Sequence, residues 1–132
     1  MVEPKPSSES LAKFCSCGNR LIGDDNIGIV LECSVRYGED TIEFANKYPQ
    51  AKIYSLECNP NTPSECRANT ARYPNIVLPE KAVSNMDGLV KFYAVNKEKT
   101  QTEWDDGNQG ASSLFRASGK CPIEYMFTTK CW

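Results

Sequence analysis

The stretch Ile29-Val30-Leu31-Glu32-Cys33-Ser34-Val35-Arg36-Tyr37-Gly38-Glu39-Asp40-Thr41 carries the reading of the fold. Its first half belongs to a short β-branched run, Ile27 to Cys33, that is nearly continuous in apolar character. Such a run suits a strand buried on both faces of a parallel sheet. The second half turns through Gly38 into a helix over 39–48. Ile42, Ala45 and Tyr48 recur there at helical spacing, Glu39 and Asp40 occupy the first turn where acids favour a helix N-terminus, and Pro49 ends the run. Strand, glycine turn and helix together form the first unit of an open α/β sheet. In such sheets ligands bind in the crevice outside the carboxyl ends of the strands.

Working outward, Ala51 to Glu57 predicts a second strand. Thr62-Pro63-Ser64-Glu65 predicts a capped helix start, with a proline at the first helical position and a glutamate three residues after the cap. That helix should run to about Arg72 and close before Pro74. Ile76-Val77-Leu78 fits a third strand, with Pro79 marking an edge, a bulge or a break. The order strand, helix, strand, helix, strand is the signature of a parallel sheet. After it, the Asp87-Gly88 turn and the run Leu89 to Val95 predict a β-hairpin over 77–95. Residues 96–110 read as a polar surface loop, and Ile123 to Thr129 as one more strand. Residues 1–12 are rich in proline, serine and charge, so the segment 1–20 reads as a flexible arm ahead of a domain over 21–132. The fold class is α/β, a Rossmann-like parallel sheet with an added β-hairpin, expected to stop short of the later strands.

Composition narrows the function classes. Fifteen basic and seventeen acidic residues leave a net charge of −2, which gives no electrostatic reason to expect nucleic acid as a partner. No segment approaches the length of apolar sequence needed to cross a bilayer, and the first residues lack the apolar stretch of a secretory signal, so the cytoplasm is the expected compartment. The seven cysteines are odd in number, and Cys33 and Cys58 fall in or beside strand-like runs, so reduced thiols are expected. Cys15-Ser16-Cys17 is spaced too closely for a structural zinc knuckle, and the chain has no histidine, so no metal is expected.

The chemistry sits where the first two strands end. Glu32 closes the first, and Glu57 closes the second 25 residues later. An acid at the second position is placed to accept hydrogen bonds from a ribose diol. Gly38 allows a tight turn and close ligand approach, and a helix N-terminus can hold an anion. The stretch Glu32 to Gly38 contains only one glycine, so the close backbone approach that a dinucleotide pyrophosphate needs is missing. A looser turn with acids for ribose suits S-adenosylmethionine better.

The quoted stretch resembles the first cofactor motif of the FkbM family of methyltransferases. Ala51 to Asn61 is similar to that family's second strand and its acidic ending. Asn75 to Ser84 with Asp87 to Tyr93 looks like its third strand and hairpin, and Gly110-Ala111-Ser112-Ser113-Leu114 like its Gly-x-Ser-Ser-Leu stretch. These matches run in family order over about residues 27–115. The resemblance implies S-adenosylmethionine as cofactor and O-methyl transfer to a small molecule or sugar. It implies that Glu32, Ser34 and Gly38 line the methionine end, with Arg36, Tyr37, Asp40 and Thr41 as neighbours. Glu57 would take the ribose hydroxyls with Asn59 nearby, Ala82 and Ser84 would flank the adenine, and Ser112 and Ser113 would lie near the substrate mouth. Ser34 stands where the family has a glycine, and the later Asp/Glu-Gly-x-Glu strand has no counterpart before Trp132. The expectation is therefore a cofactor-binding half, with self-association or a partner supplying the rest. The competing expectations are a non-catalytic relative that serves as a cofactor-binding or interaction module, and a small disulfide-bonded secreted protein. Asp105 and Asp106 are candidate bases by charge only, and no catalytic residue is assigned.

Overall fold

The computed structural model describes residues 9–100 and 103–116, and the backbone of residues 125–128. Helix α1 (Glu9–Ile22) leads into a 3-10 turn and strand β1 (Ile29–Cys33). Helix α2 (Glu39–Lys47), strand β2 (Lys52–Leu56), helix α3 (Pro63–Thr70) and the short strand β3 (Ile76–Val77) follow. Strands β4 (Phe92–Val95) and β5 (Tyr125–Thr128) come last. The chain is thus α/β, with β1, β2 and β3 side by side in one parallel sheet, β2 in the centre. Among the described residues, no helix is long and apolar enough to cross a membrane.

One face of the sheet carries the core. Val30 and Ile53 point to the same side, where Leu11 and Cys15 of α1, Phe44 and Ala45 of α2 and Tyr48 just after it close over them. Leu11 and Cys15 are one helical turn apart, and Phe14 meets Phe44 edge to face at 6.2 Å. From Glu9 onward, then, the expected flexible arm is a packed helix. Leu11 and Cys15 are the buried residues of this helix, and their burial, with the edge of Phe14 on Phe44, holds the segment down. Residues 1–8 of the expected arm lie outside the described residues.

The opposite face differs from the reading of β1 as buried on both sides. Exposure alternates along the strand, with Ile29 at 69% and Leu31 at 67%. Beside them Tyr54 of β2 is open at 36%. β1 also has no strand on its outer edge among the described residues. An apolar edge strand of this kind is a site for pairing with further chain.

The hairpin expected over 77–95 is not formed. β3 stops at Val77, two residues before Pro79, which has no N–H to donate, while the Pro79 carbonyl accepts the Glu57 N–H at 3.2 Å. β4 pairs instead with β5, antiparallel, from Phe92 opposite Thr128 to Val95 opposite Tyr125. Tyr93 and Ser113 exchange both main-chain hydrogen bonds on its other side, at 2.8 and 3.0 Å. The remainder of the strand expected over 123–129 lies outside the described residues.

Helix α3 begins at Pro63 as its sequence predicts, but the capping box is absent. Thr62 is fully buried, and its hydroxyl donates back to the Asn59 carbonyl at 3.3 Å instead of accepting from the first turn.

Candidate functional site

The turns after β1 and β2 lie side by side, and an open cleft of about 260 Å³ forms at their ends. Cys33 and Ser34 supply one wall and Cys58 another. Lys81, Ala82 and Val83 come from the segment after β3, and Phe92 and Ser112 to Phe115 complete it. Lys81 is the one charged side chain among these lining residues. Apolar walls beside hydroxyls, with a carboxylate in the adjoining turn, fit a nucleoside-type ligand by the chemistry of their donors and acceptors.

The two acids that end the strands are both engaged. Glu57 accepts three main-chain hydrogen bonds, from Arg36 at 2.6 Å, Cys58 at 2.8 Å and Asn59 at 2.7 Å. Its carboxylate thereby joins the two turns. Glu32 is held from the helix side, where one oxygen accepts from the hydroxyl of Thr41 at 2.6 Å and from that of Ser55 at 3.0 Å. Burial raises the Glu32 carboxyl above its ordinary range, against the pull of those two hydroxyl bonds.

The turn between β1 and α2 is strained. Ser34 has φ 64° and Arg36 φ 57°, left-handed conformations that cost residues with a Cβ on the order of 1 kcal/mol each. Ser34 therefore sits in the conformation that favours glycine. Gly38 has φ 88°, and its reason differs from ligand approach. It is buried, and a Cβ there would stand 3.0 Å from Thr70 Cγ2 and 3.2 Å from Cys66 Sγ, so its bareness lets α3 pack against the start of α2.

Of the residues singled out in the sequence, Ser34 and Ala82 line the cleft directly, and Glu57 braces it from the backbone of Arg36 and Cys58. Ser112 and Ser113 line it as well. Thr41 is fully buried and faces Glu32. Arg36 lies over the ring of Tyr37, with its guanidinium 5.1 Å from the centroid. Asp40 and Ser84 are exposed and outside the cleft's lining. Asn59 is 3% exposed and acts as a tie, its amide donating to Gln109 Oε1 at 3.1 Å and to Ser112 Oγ at 3.2 Å. Cys33, Cys58, Lys81 and Phe92 are cleft residues that the sequence reading did not assign to a site. The register that sets Cys33 opposite Leu56 is the signal that brings the thiols there.

Cys58 is held as the thiol, since burial and the Glu57 carboxylate push it up to about 11. The five cysteines among the described residues are all free, with Cys15 and Cys66 buried. Cys121 and Cys131 lie outside the described residues.

A second cleft, of about 330 Å³, is lined by Tyr37, Asn61, Val95, Lys97, Asp106 and Gln109, among others. Tyr37 donates to Asp106 at 3.0 Å, and its hydroxyl is pushed up to about 12, by burial first and then by that bond. Burial alone would raise Asp106. The Tyr37 hydroxyl, the Asn108 N–H and the charge of Arg36 outweigh it and hold the carboxyl below its ordinary range. That makes Asp106 a poor proton acceptor, and Asp105, the other candidate base, is exposed and outside both sets of lining residues.

The chain is similar to the 2-O-methyltransferase NoeI of Sinorhizobium fredii, with 27% identity over 77 residues that make up 58% of this chain and 32% of that protein. It thus spans about a third of the length of the curated relative it matches. No protein-family model matches it, and no solved structure does.

Proposed function

We propose that the chain is the cofactor-binding part of an S-adenosylmethionine-dependent O-methyltransferase of FkbM type, acting in the cytoplasm on a hydroxyl of a small molecule or sugar. The observation that carries this reading is the cleft at the carboxyl ends of β1 and β2, lined by Ser34 and Ala82 and braced by Glu57. The similarity to a 2-O-methyltransferase supports it.

The bound cofactor would supply an activated methyl group, transferred as the acceptor oxygen bonds to carbon and the sulfur keeps the electron pair of the broken bond. This chain's residues would hold the nucleoside between Ser34, Ala82 and the apolar walls, and keep water from the apolar side of the cleft. None of the described residues is assigned the acceptor's proton. The bare edge and face of β1 are where further sheet would join, from a longer chain, a second copy or a partner.

Titration of the full chain with S-adenosylhomocysteine by calorimetry tests the reading, with Glu57→Ala as the control. Saturable binding that the substitution weakens is expected. No heat at millimolar ligand overturns the proposal. Binding without methyl transfer across a broad panel of hydroxylated acceptors favours the alternative of a non-catalytic cofactor-binding or interaction module. The specific observation on that side is that Asp106 is already committed to Tyr37.

A further inference from the structure

Glu57 is surrounded by main-chain donors. Oε1 takes the N–H groups of Cys58 and Asn59, both from its own turn, and Oε2 takes that of Arg36 from the turn after β1. An ionised carboxylate offers about four acceptor sites, so three are occupied and about one, on Oε2, remains. A ribose hydroxyl that bonds to Glu57 therefore shares the carboxylate with three main-chain donors.

The Arg36 bond matters because of where Arg36 sits. Its φ of 57° and the φ of 64° at Ser34 are conformations that a residue with a Cβ leaves when nothing holds it. Ser34 is a wall of the cleft and Cys58 faces it from the neighbouring turn. The 2.6 Å bond from Arg36 to Glu57, beside the Ser34 N–H bond to the Leu56 carbonyl at 3.0 Å, therefore holds the spacing of the two walls. Hydrogen bonds to a charged acceptor are stronger than neutral ones, as holding a strained turn requires.

The geometry points to Glu57 as a positioning residue. Its carboxylate keeps Arg36, and with it Ser34, in the left-handed turn that shapes the cleft. This inference rests on the cofactor reading above and gives the acid a second task within it.

A calorimetric cycle on the full chain separates the two tasks, using S-adenosylhomocysteine and its 2′,3′-dideoxy analogue against wild type, Glu57→Gln, Arg36→Gly and the double variant. Glutamine sets an amide where one oxygen stood, so at least one N–H of the three faces another donor. Glu57→Gln should weaken the analogue as well as the parent ligand, by about tenfold. In the Arg36→Gly background, where glycine holds a positive φ unaided, the penalty on the analogue should shrink several-fold. A Glu57→Gln effect confined to the ligand with ribose hydroxyls, or a penalty that Arg36→Gly leaves unchanged, overturns the inference while sparing the cofactor reading. Wild type that binds neither ligand overturns both. Glu57→Asp, which keeps the charge but draws it one methylene back from Arg36, is the milder variant for the same cycle should Glu57→Gln fail to fold.

Discussion

Thr41 and Ser55 donate their hydroxyls to one and the same oxygen of Glu32, at 2.6 and 3.0 Å, from α2 on one side and β2 on the other. The carboxylate is the common acceptor between helix and sheet just behind the cleft. Burial raises its pKa above the ordinary 4.5, so the folded chain keeps this proton to higher pH than the unfolded chain does. Its contribution to stability is therefore largest at acid pH and is lost as pH rises through the raised value. Glu32→Gln keeps an oxygen for both hydroxyls and removes the buried charge. Thermal melts should show the variant more stable than wild type at neutral pH, with the difference closing below about pH 4. A variant less stable than wild type at neutral pH would show that the charge itself is needed.

Two glycines answer to packing. Alanine at Gly38 meets Thr70 and Cys66 with φ at 88°, and alanine at Gly107 meets the backbone Cα of Lys97 at 2.7 Å with φ at 70°. Gly38→Ala should cost about 2 kcal/mol in urea denaturation, since the side chains it meets can shift a little. Gly107→Ala should cost more, because a backbone atom cannot move aside alone. The reverse order would contradict the close approach of residues 97 and 107.

Asn59 ties the segment that carries β4 to the turn after β2. Removing its amide in Asn59→Ala leaves Gln109 Oε1 with the Asn61 amide at 3.0 Å, while Ser112 keeps the Val95 N–H at 3.0 Å. The loss should be about 1–2 kcal/mol, from the two ties removed and from the Asn61 N–H, which loses the Asn59 Oδ1 it donates to at 3.1 Å. Amide hydrogen exchange should quicken over residues 92–95 and 109–113 and hold steady in β1 and β2.

Thiol reactivity reads the cleft directly. Cys17 and Cys33 are exposed, whereas Cys58 is held protonated and Cys15 and Cys66 are buried. Among these five, alkylation near neutral pH should reach Cys17 and Cys33 first, as mass spectrometry of timed samples would show. Saturating S-adenosylhomocysteine should slow Cys33 and leave Cys17 unchanged. Equal rates at Cys33 with and without ligand would place the ligand elsewhere.

The elements that could be read from the sequence are those with an unambiguous period. β1, α2, β2 and α3 each lie within a residue or two of their expected bounds, because Pro49, Pro63 and Pro74 punctuate them and the apolar residues between keep one rhythm. α1 was hidden by its composition. Serine, lysine and glycine dilute its apolar spacing, and the lead-in before it is rich in proline. The bare face of β1 was hidden for a different reason. An apolar run says that a strand can be covered on both sides and says nothing of whether the covering chain is at hand. The hairpin failed on partner choice, since Asp87-Gly88 is sound turn chemistry but β4 gains a longer ladder from β5. At the candidate cleft, the placement of Ser34 and Ala82 in the wall and of Glu57 beside it follows motif order. Gly38 and Asn59 were legible as special positions, while their tasks are set by Thr70, Cys66, Gln109 and Ser112, which are distant in sequence.

Gln109 faces the second cleft and Ser112 the first, and both accept from the Asn59 amide nitrogen. A molecule that draws Gln109 away frees that nitrogen to change its hold on Ser112, and the converse is equally true. Any coupling carried through this nitrogen would be reciprocal, with the same size and sign from either side.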